Sequence, residues 1–156
     1  MKKPRTNFIN RELSWLEFNH RVLEEALDAS VPVLDRLKFL AITASNLDEF
    51  FMVRVGGLRM LIAERITTRD PAGLTPAEQL EAVCARVRAM VSDQYTCFNQ
   101  QLVPALAEAG IGRLLPEELT RVQLKFVEHV FENEISATIT PMAVDAAAPF
   151  PLLRGL

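Results

Sequence analysis

Glycine and proline are scarce in this chain, six and nine of 156 residues, and they fall largely between periodic segments. That spacing argues for helices joined by short connections. Cysteine is scarcer still. Cys84 and Cys97 lie on what reads as one helix, where thirteen residues at about 1.5 Å each hold them roughly 20 Å apart, too far to bridge. Both are expected as free thiols of a reducing compartment. Charge interrupts every apolar run well before the 18 or so residues of a spanning helix, which excludes insertion into a membrane. The basic start, Met1 to Asn7, meets Asn10, Arg11 and Glu12 before any apolar core develops, so no signal peptide is read. An excess of positive charge is missing too. A net charge of -3, with arginines and acids interspersed, offers no general attraction to nucleic acid or anionic lipid. What remains is 49% hydrophobic and 24% charged, the composition of one soluble globular domain, without repeats or low-complexity segments.

The periodicity predicts an all-α fold, an antiparallel helical bundle with a long helix near 75–109 and an irregular C-terminal tail. A Ser-x-x-Glu capping box at Ser14 and Glu17 sets the expected start of the first helix. Its broad apolar face holds Trp15, Phe18 and Val22 with Leu16, Leu23, Ala26 and Leu27, and Ser30 to Pro32 ends it. A second helix starts near Val33, and the short polar residues Thr43, Ser45 and Asn46 predict a break, because Ser and Asn are favoured N-caps. A new helix then runs from about Leu47 to Arg65, with Phe50, Val53, Gly57 and Met60 or Leu61 on one face. After a loop at 67–74, Thr75-Pro76-Ala77-Glu78 restarts a helix with cap, proline and returning acid together. Pro104 kinks that helix and Gly110 terminates it. Pro116 is expected to open a last helix, with Leu119, Val122, Phe126, Val127, Val130, Phe131 and Ile135 inward. From Thr140 no period survives.

The densest chemistry lies in Ser45-Asn46-Leu47-Asp48-Glu49-Phe50-Phe51-Met52-Val53-Arg54, where polar and charged groups crowd among apolar ones. Together with Asn10-Arg11-Glu12-Leu13-Ser14-Trp15-Leu16-Glu17-Phe18-Asn19 and Leu37-Lys38-Phe39-Leu40-Ala41-Ile42, it resembles the amino-terminal domain of the long, histidine-dependent polyphosphate kinases. The resemblance is dense from Phe8 to Leu58 and looser through Thr140-Pro141 and Pro149-Phe150-Pro151. It implies an enzyme that moves the terminal phosphate of ATP reversibly onto polyphosphate through a phosphohistidine. It implies ATP and ADP as substrates, Mg2+ held by ligands outside this chain, a homo-oligomer, and a cytoplasmic location with membrane association only within a larger assembly. Residues 1–110 would be the amino-terminal helical domain and 111–156 the opening of a head domain whose remainder, like the catalytic histidine and the phosphate-gripping arginines, lies outside this chain. The fragment alone would be inactive, and polyphosphate would bind mainly elsewhere.

Asn46 is the candidate nucleotide-binding residue. Its amide offers donors and an acceptor together, and by resemblance the Asn of Ser-Asn-Leu-Asp-Glu-Phe contacts ATP. The plainer reading, a helix cap, is compatible with this, because a helix start also favours nearby anions. Asp48 and Glu49 suggest magnesium, but adjacent helical residues point about 100° apart, so a salt bridge to Arg54 or Arg11 is preferred. No catalytic residue is assigned: His20 and His129 lie in ordinary helical patterns. Arg11, Arg21, Arg36, Arg54 and Arg59 read as a solvated mixed-charge surface. Gly56-Gly57 suggests close helix packing, and Trp15 a core anchor rather than a base-stacking platform. The alternative to a kinase part is a non-enzymatic helical module for interaction or oligomerisation, offered by the apolar surface of the long helix and the tail.

Overall fold

In the computed structural model, residues 7–144 and Phe150 are described. The chain divides into two compact units, up to Ile111 and from Gly112 onward. Among the described residues every regular element is helical, as the periodicity predicts.

The first unit consists of three rods. Helix α1 spans Arg11–Leu27, and α2 spans Val33–Phe50. A π turn, Phe51–Val55, carries α2 without a stop into α3, Gly56–Ala63. Helix α4, Pro76–Cys97, passes through a second π turn, Phe98–Leu102, into α5, Val103–Glu108. Pairings give the directions. Asn19 meets Thr43 at a separation of 24 residues, and Ala26 meets Arg36 at 10, so α1 and α2 run antiparallel. Glu17 with Arg86 and Asn19 with Met90 keep nearly constant separations of 69 and 71, so α1 and α4 run parallel. The result is an up-down-up bundle.

Its seams follow the spacing of facing helices and take Leu16, Leu23 and Ala26 from the expected apolar face of α1, but they include polar residues the sequence did not place there. Buried positions step by four and three through Glu12, Leu16, Asn19, Leu23 and Ala26, and through Arg36, Leu40, Thr43, Leu47 and Phe50. Polar side chains thus occupy seam positions, each with at least one hydrogen bond. Phe18, placed on the inner face by composition, is instead 49% exposed.

Several expected boundaries shift. Helix α1 starts before Ser14, because Asn10 is the cap: its Oδ1 accepts from the Leu13 N–H at 3.0 Å. The Asn10 amide also donates to Asp70 and Gln79, tying the helix start to the loop and to α4. No break occurs at Ser45-Asn46. The irregularity comes five residues later, as the π turn, whose extra residue rotates the helix beyond it. Consequently Val55 and Leu58 are buried, whereas Val53, Met60 and Leu61 are exposed. Helix α3 ends at Ala63 with Arg65 in the left-handed region at φ 58°, its own N–H bonded back to the Ile62 carbonyl and that of Ile66 to the Leu61 carbonyl. The Thr75–Glu78 capping box and the Gly110 terminator, at φ 83°, form as expected.

The second unit begins with a 3-10 turn at Pro116–Glu118. Its helix α6, Arg121–Val130, starts at Thr120 rather than Pro116, because Thr120 and Gln123 close a capping box. A π turn, Phe131–Ile135, and a 3-10 turn, Ser136–Thr138, come next. The residues expected inward are not buried: Val122 is 79% and Phe126 67% exposed. Thr140 to Val144 lack regular structure, and the rest of the tail apart from Phe150 lies outside the described residues.

Candidate functional site

A cleft of about 300 Å3 opens on the first unit where α1, α2 and the first π turn meet. Trp15 and Phe18 line it from α1, Asn46, Glu49 and Phe50 from α2, and Val53 and Arg54 from the π turn. Two aromatic contacts, both made by Phe50, hold its wall. Phe50 is almost fully buried and stacks on Trp15 with ring centroids 4.7 Å apart and planes 15° off parallel. Phe51 meets Phe50 edge-on at 6.2 Å. Offset aromatic stacking of this kind adds about 1 kcal/mol beyond area burial, and it holds α1 to the end of α2 at the cleft. Phe18 is open to solvent, with the Arg21 guanidinium 5.9 Å from its ring centre.

Asn46 is half-buried in the middle of α2, so it caps nothing. Its Nδ2 donates to the Oδ1 of Asn19 at 2.9 Å. The cap reading is therefore replaced by a side-chain to side-chain bond between α1 and α2. The π turn does the rest of the positioning. By inserting one residue it turns Val55 into the core while leaving Val53 and Arg54 at the cleft, where a regular helix would carry a different pair.

The charges are arranged differently from expectation. Asp48 and Glu49 form no ion pair with Arg11 or Arg54. The carboxylate that does is Glu12, which the sequence did not single out. Its Oε1 accepts from Arg11 Nη2 at 2.8 Å, and its Oε2 lies 3.9 Å from Arg54 Nε. Glu12 is 5% exposed, and Oε2 accepts no hydrogen bond. The free oxygen of this buried carboxylate faces the Arg54 guanidinium at ion-pair distance, without a hydrogen bond between them. A signal for this existed in the alternation of Arg11-Glu12 one turn before Trp15. Asp48 faces away from Glu49, into a separate apolar groove between α2 and α4. Their divergence follows the helical turn angle, and it leaves no paired carboxylates for a divalent ion. Among the described residues no three His, Cys, Asp or Glu side chains gather as a metal would require.

Other candidates settle elsewhere. His20 lies 3.5 Å from Glu24, and the His129 ring meets Asn133 at 3.1 Å. Cys84 and Cys97 are free. Arg36 departs from the surface reading: it is buried, with Nε donating to the Ala26 carbonyl at 2.8 Å and Nη2 to Gln101 at 2.7 Å. The glycines also depart from expectation. A Cβ at Gly57 would meet nothing within 4 Å, and at Gly56 only the Phe51 carbonyl oxygen at 3.8 Å, so close helix packing is not their reason.

Comparison with known proteins decides the family. The profile of the polyphosphate kinase N-terminal domain matches residues 8–114, which contain the whole cleft. The chain belongs to the polyphosphate kinase family. It is 48% identical over 153 residues to a polyphosphate kinase of Streptomyces coelicolor, covering 98% of this chain and 20% of that protein. A polyphosphate kinase of Lactiplantibacillus plantarum is 47% identical over 146 residues, again across 20% of its length. The solved polyphosphate kinase of Porphyromonas gingivalis superimposes with a TM-score of 0.78 at 30% identity, over 97% of this chain and 21% of that one. The chain thus spans about a fifth of the length of these polyphosphate kinases, and the family assignment and all-helical fold rest on that fifth.

Proposed function

We propose that the first unit is the nucleotide-facing wall of a polyphosphate kinase, and that the cleft at Asn46 receives part of ATP. The observation that carries this reading is the convergence of an amide, a stacked aromatic pair and an arginine in one open cleft within the family-matched segment. Each suits one part of a nucleotide. The Asn46 amide offers hydrogen bonds to a base edge, Trp15 and Phe18 an apolar surface beside it, and Arg54 a cation toward phosphate. Arg54 lies 3.9 Å from the Glu12 carboxylate, which draws the guanidinium toward this end of the cleft.

Transfer of the terminal phosphate of ATP onto polyphosphate, through a phosphohistidine, is assigned to the remainder of a longer polypeptide. His20 and His129 lie outside the cleft, and phosphoryl transfer needs several cationic groups around the transferred phosphate, where this cleft has one. Mg2+ and polyphosphate are assigned to that remainder too, with Gly112 onward as the opening of a head domain. A second reading, a helical interaction module, is favoured by one observation, the exposed apolar side chains of α6. The two are compatible if those side chains are covered by polypeptide beyond residue 156.

The test is an ATP titration of the isotopically labelled chain. Shifts at the Asn46 side-chain amide, the Trp15 indole and the Arg54 Nε are expected, and Asn46→Ala should weaken binding at least about tenfold, the loss of one or two hydrogen bonds. If millimolar ATP leaves all three signals unmoved, the cleft is not a nucleotide site.

A further inference from the structure

Behind the cleft lies a second amide, Asn19, with no exposure to solvent. Its Nδ2 lies 3.1 Å from the Thr43 carbonyl oxygen and 3.7 Å from Met90 Sδ. Both can only accept, so the NH2 of Asn19 must face them and its Oδ1 must face the other way. The Thr43 hydroxyl donates to the Phe39 carbonyl at 2.8 Å, so it has no hydrogen left to offer an inverted Asn19 Oδ1. Asn46 Nδ2 stands 2.9 Å from that Oδ1, and there it must donate. One backbone carbonyl thus fixes the polarity of two side-chain amides in series. The amide of Asn46 cannot flip without setting two oxygens against each other in a half-buried place. Its Oδ1 takes no hydrogen bond from the described residues, and Asn46 lines the cleft.

Resting on the nucleotide reading above, we propose that Asn19 is a positioning residue: it locks Asn46 as a hydrogen-bond acceptor toward the cleft, and so selects a base that carries an exocyclic amine. Adenine presents such an amine at C6. Hypoxanthine presents a carbonyl oxygen there, which would meet Oδ1 acceptor against acceptor. An amide free to rotate would offer its NH2 to that carbonyl and bind both bases alike. Selection therefore belongs to the buried partner as much as to the residue in the cleft, and Asn19 touches no ligand itself.

The experiment compares ATP with ITP, which differ at that position, on the 156-residue chain and on Asn19→Leu and Asn19→Asp, by calorimetry and side-chain amide NMR. The original chain should prefer ATP on the order of tenfold, the value of one well-formed hydrogen bond against an unmatched pair. Asn19→Leu should bring the ratio near one, chiefly by weakening ATP. Asn19→Asp should keep the preference, because burial favours the neutral acid, whose hydroxyl donates to Thr43 while its carbonyl accepts from Asn46. Without ligand, the Asn46 side-chain amide protons should exchange slowly with solvent in the original chain and in Asn19→Asp, and fast in Asn19→Leu. Equal weakening of ATP and ITP by Asn19→Leu, or amide exchange unchanged by it, overturns the proposal and leaves Asn19 a packing residue. If neither nucleotide perturbs the original chain, the nucleotide reading has failed and base selection falls with it, while the exchange rates still decide whether Asn19 holds Asn46. Should Asn19→Leu lose its helical circular dichroism, the ratio in Asn19→Asp decides: a value near one refutes the proposal.

Discussion

Arg36 joins all three rods of the first unit. Its Nε ends on the Ala26 carbonyl in the last turn of α1, where carbonyls lack helical partners and the dipole favours a cation. Cys97 Sγ donates to the same oxygen at 3.4 Å. Burial pushes the Cys97 thiol above its usual value, against a smaller opposing effect of the Arg36 charge, so it stays protonated and able to donate. Arg36→Leu would leave the Ala26 carbonyl and Gln101 short of their charged donor, and urea denaturation should show a loss of about 2–4 kcal/mol. Arg59→Leu, at an exposed position, should change stability by no more than about 0.5 kcal/mol. Nothing in the sequence separates these two arginines. Both sit among apolar residues, and only the carbonyl waiting at the end of another helix distinguishes them. Asn19 and Glu12 were hidden for the same reason: polar residues on a seam look like the solvent face to any reading based on hydrophobicity.

Helix starts with a local hydrogen-bond signature were legible, and those with competing signatures were not. Thr75-Pro76-Ala77-Glu78 is unambiguous. At the first helix, Asn10 outcompetes Ser14 because its amide has two further partners, Asp70 and Gln79, sixty and more residues away. Thr120 was readable by the same rule as Thr75, but the nearby Pro116 drew the start to itself. The interruption near Asn46 was detected and misplaced, since a π turn has no composition of its own. Helix α3 carries a cost from this arrangement, Gly57, which sits in helical conformation with open space around its Cα. Gly57→Ala should raise stability by about 0.5–1 kcal/mol, seen as a higher melting temperature, because it restricts the unfolded chain and meets no obstacle.

For the whole molecule, class and family were open to the sequence. Helix direction was not, because it depends on pairs such as Glu17 and Arg86 that no local pattern announces. That pair gives the bundle a pH dependence. The Arg86 guanidinium, by hydrogen bond and charge, holds the Glu17 carboxyl below its ordinary value of 4.5, and the Thr75 N–H does the same for Glu78. The folded state therefore binds these protons less readily than the unfolded one. The stabilisation is complete above the ordinary value and is lost as pH falls below it. Melting temperature should decline on acidification below about pH 5, and Glu17→Gln should remove part of that decline at a cost of about 0.5 kcal/mol at neutral pH, the scale of an exposed ion pair.

The π turn at Phe51–Val55 also has a mechanical meaning. A π turn interrupts the regular hydrogen-bond ladder of the α-helix on either side, and helices bend at such interruptions, so the rod from Val33 to Ala63 has its natural bending point there. It behaves as a beam with one soft joint, and the joint lies beside the cleft, between Asn46 on one arm and Leu58 on the other. A load on α3 would bend the rod there first, changing the width of the cleft while the arm that bears Asn46 keeps its grip on α1.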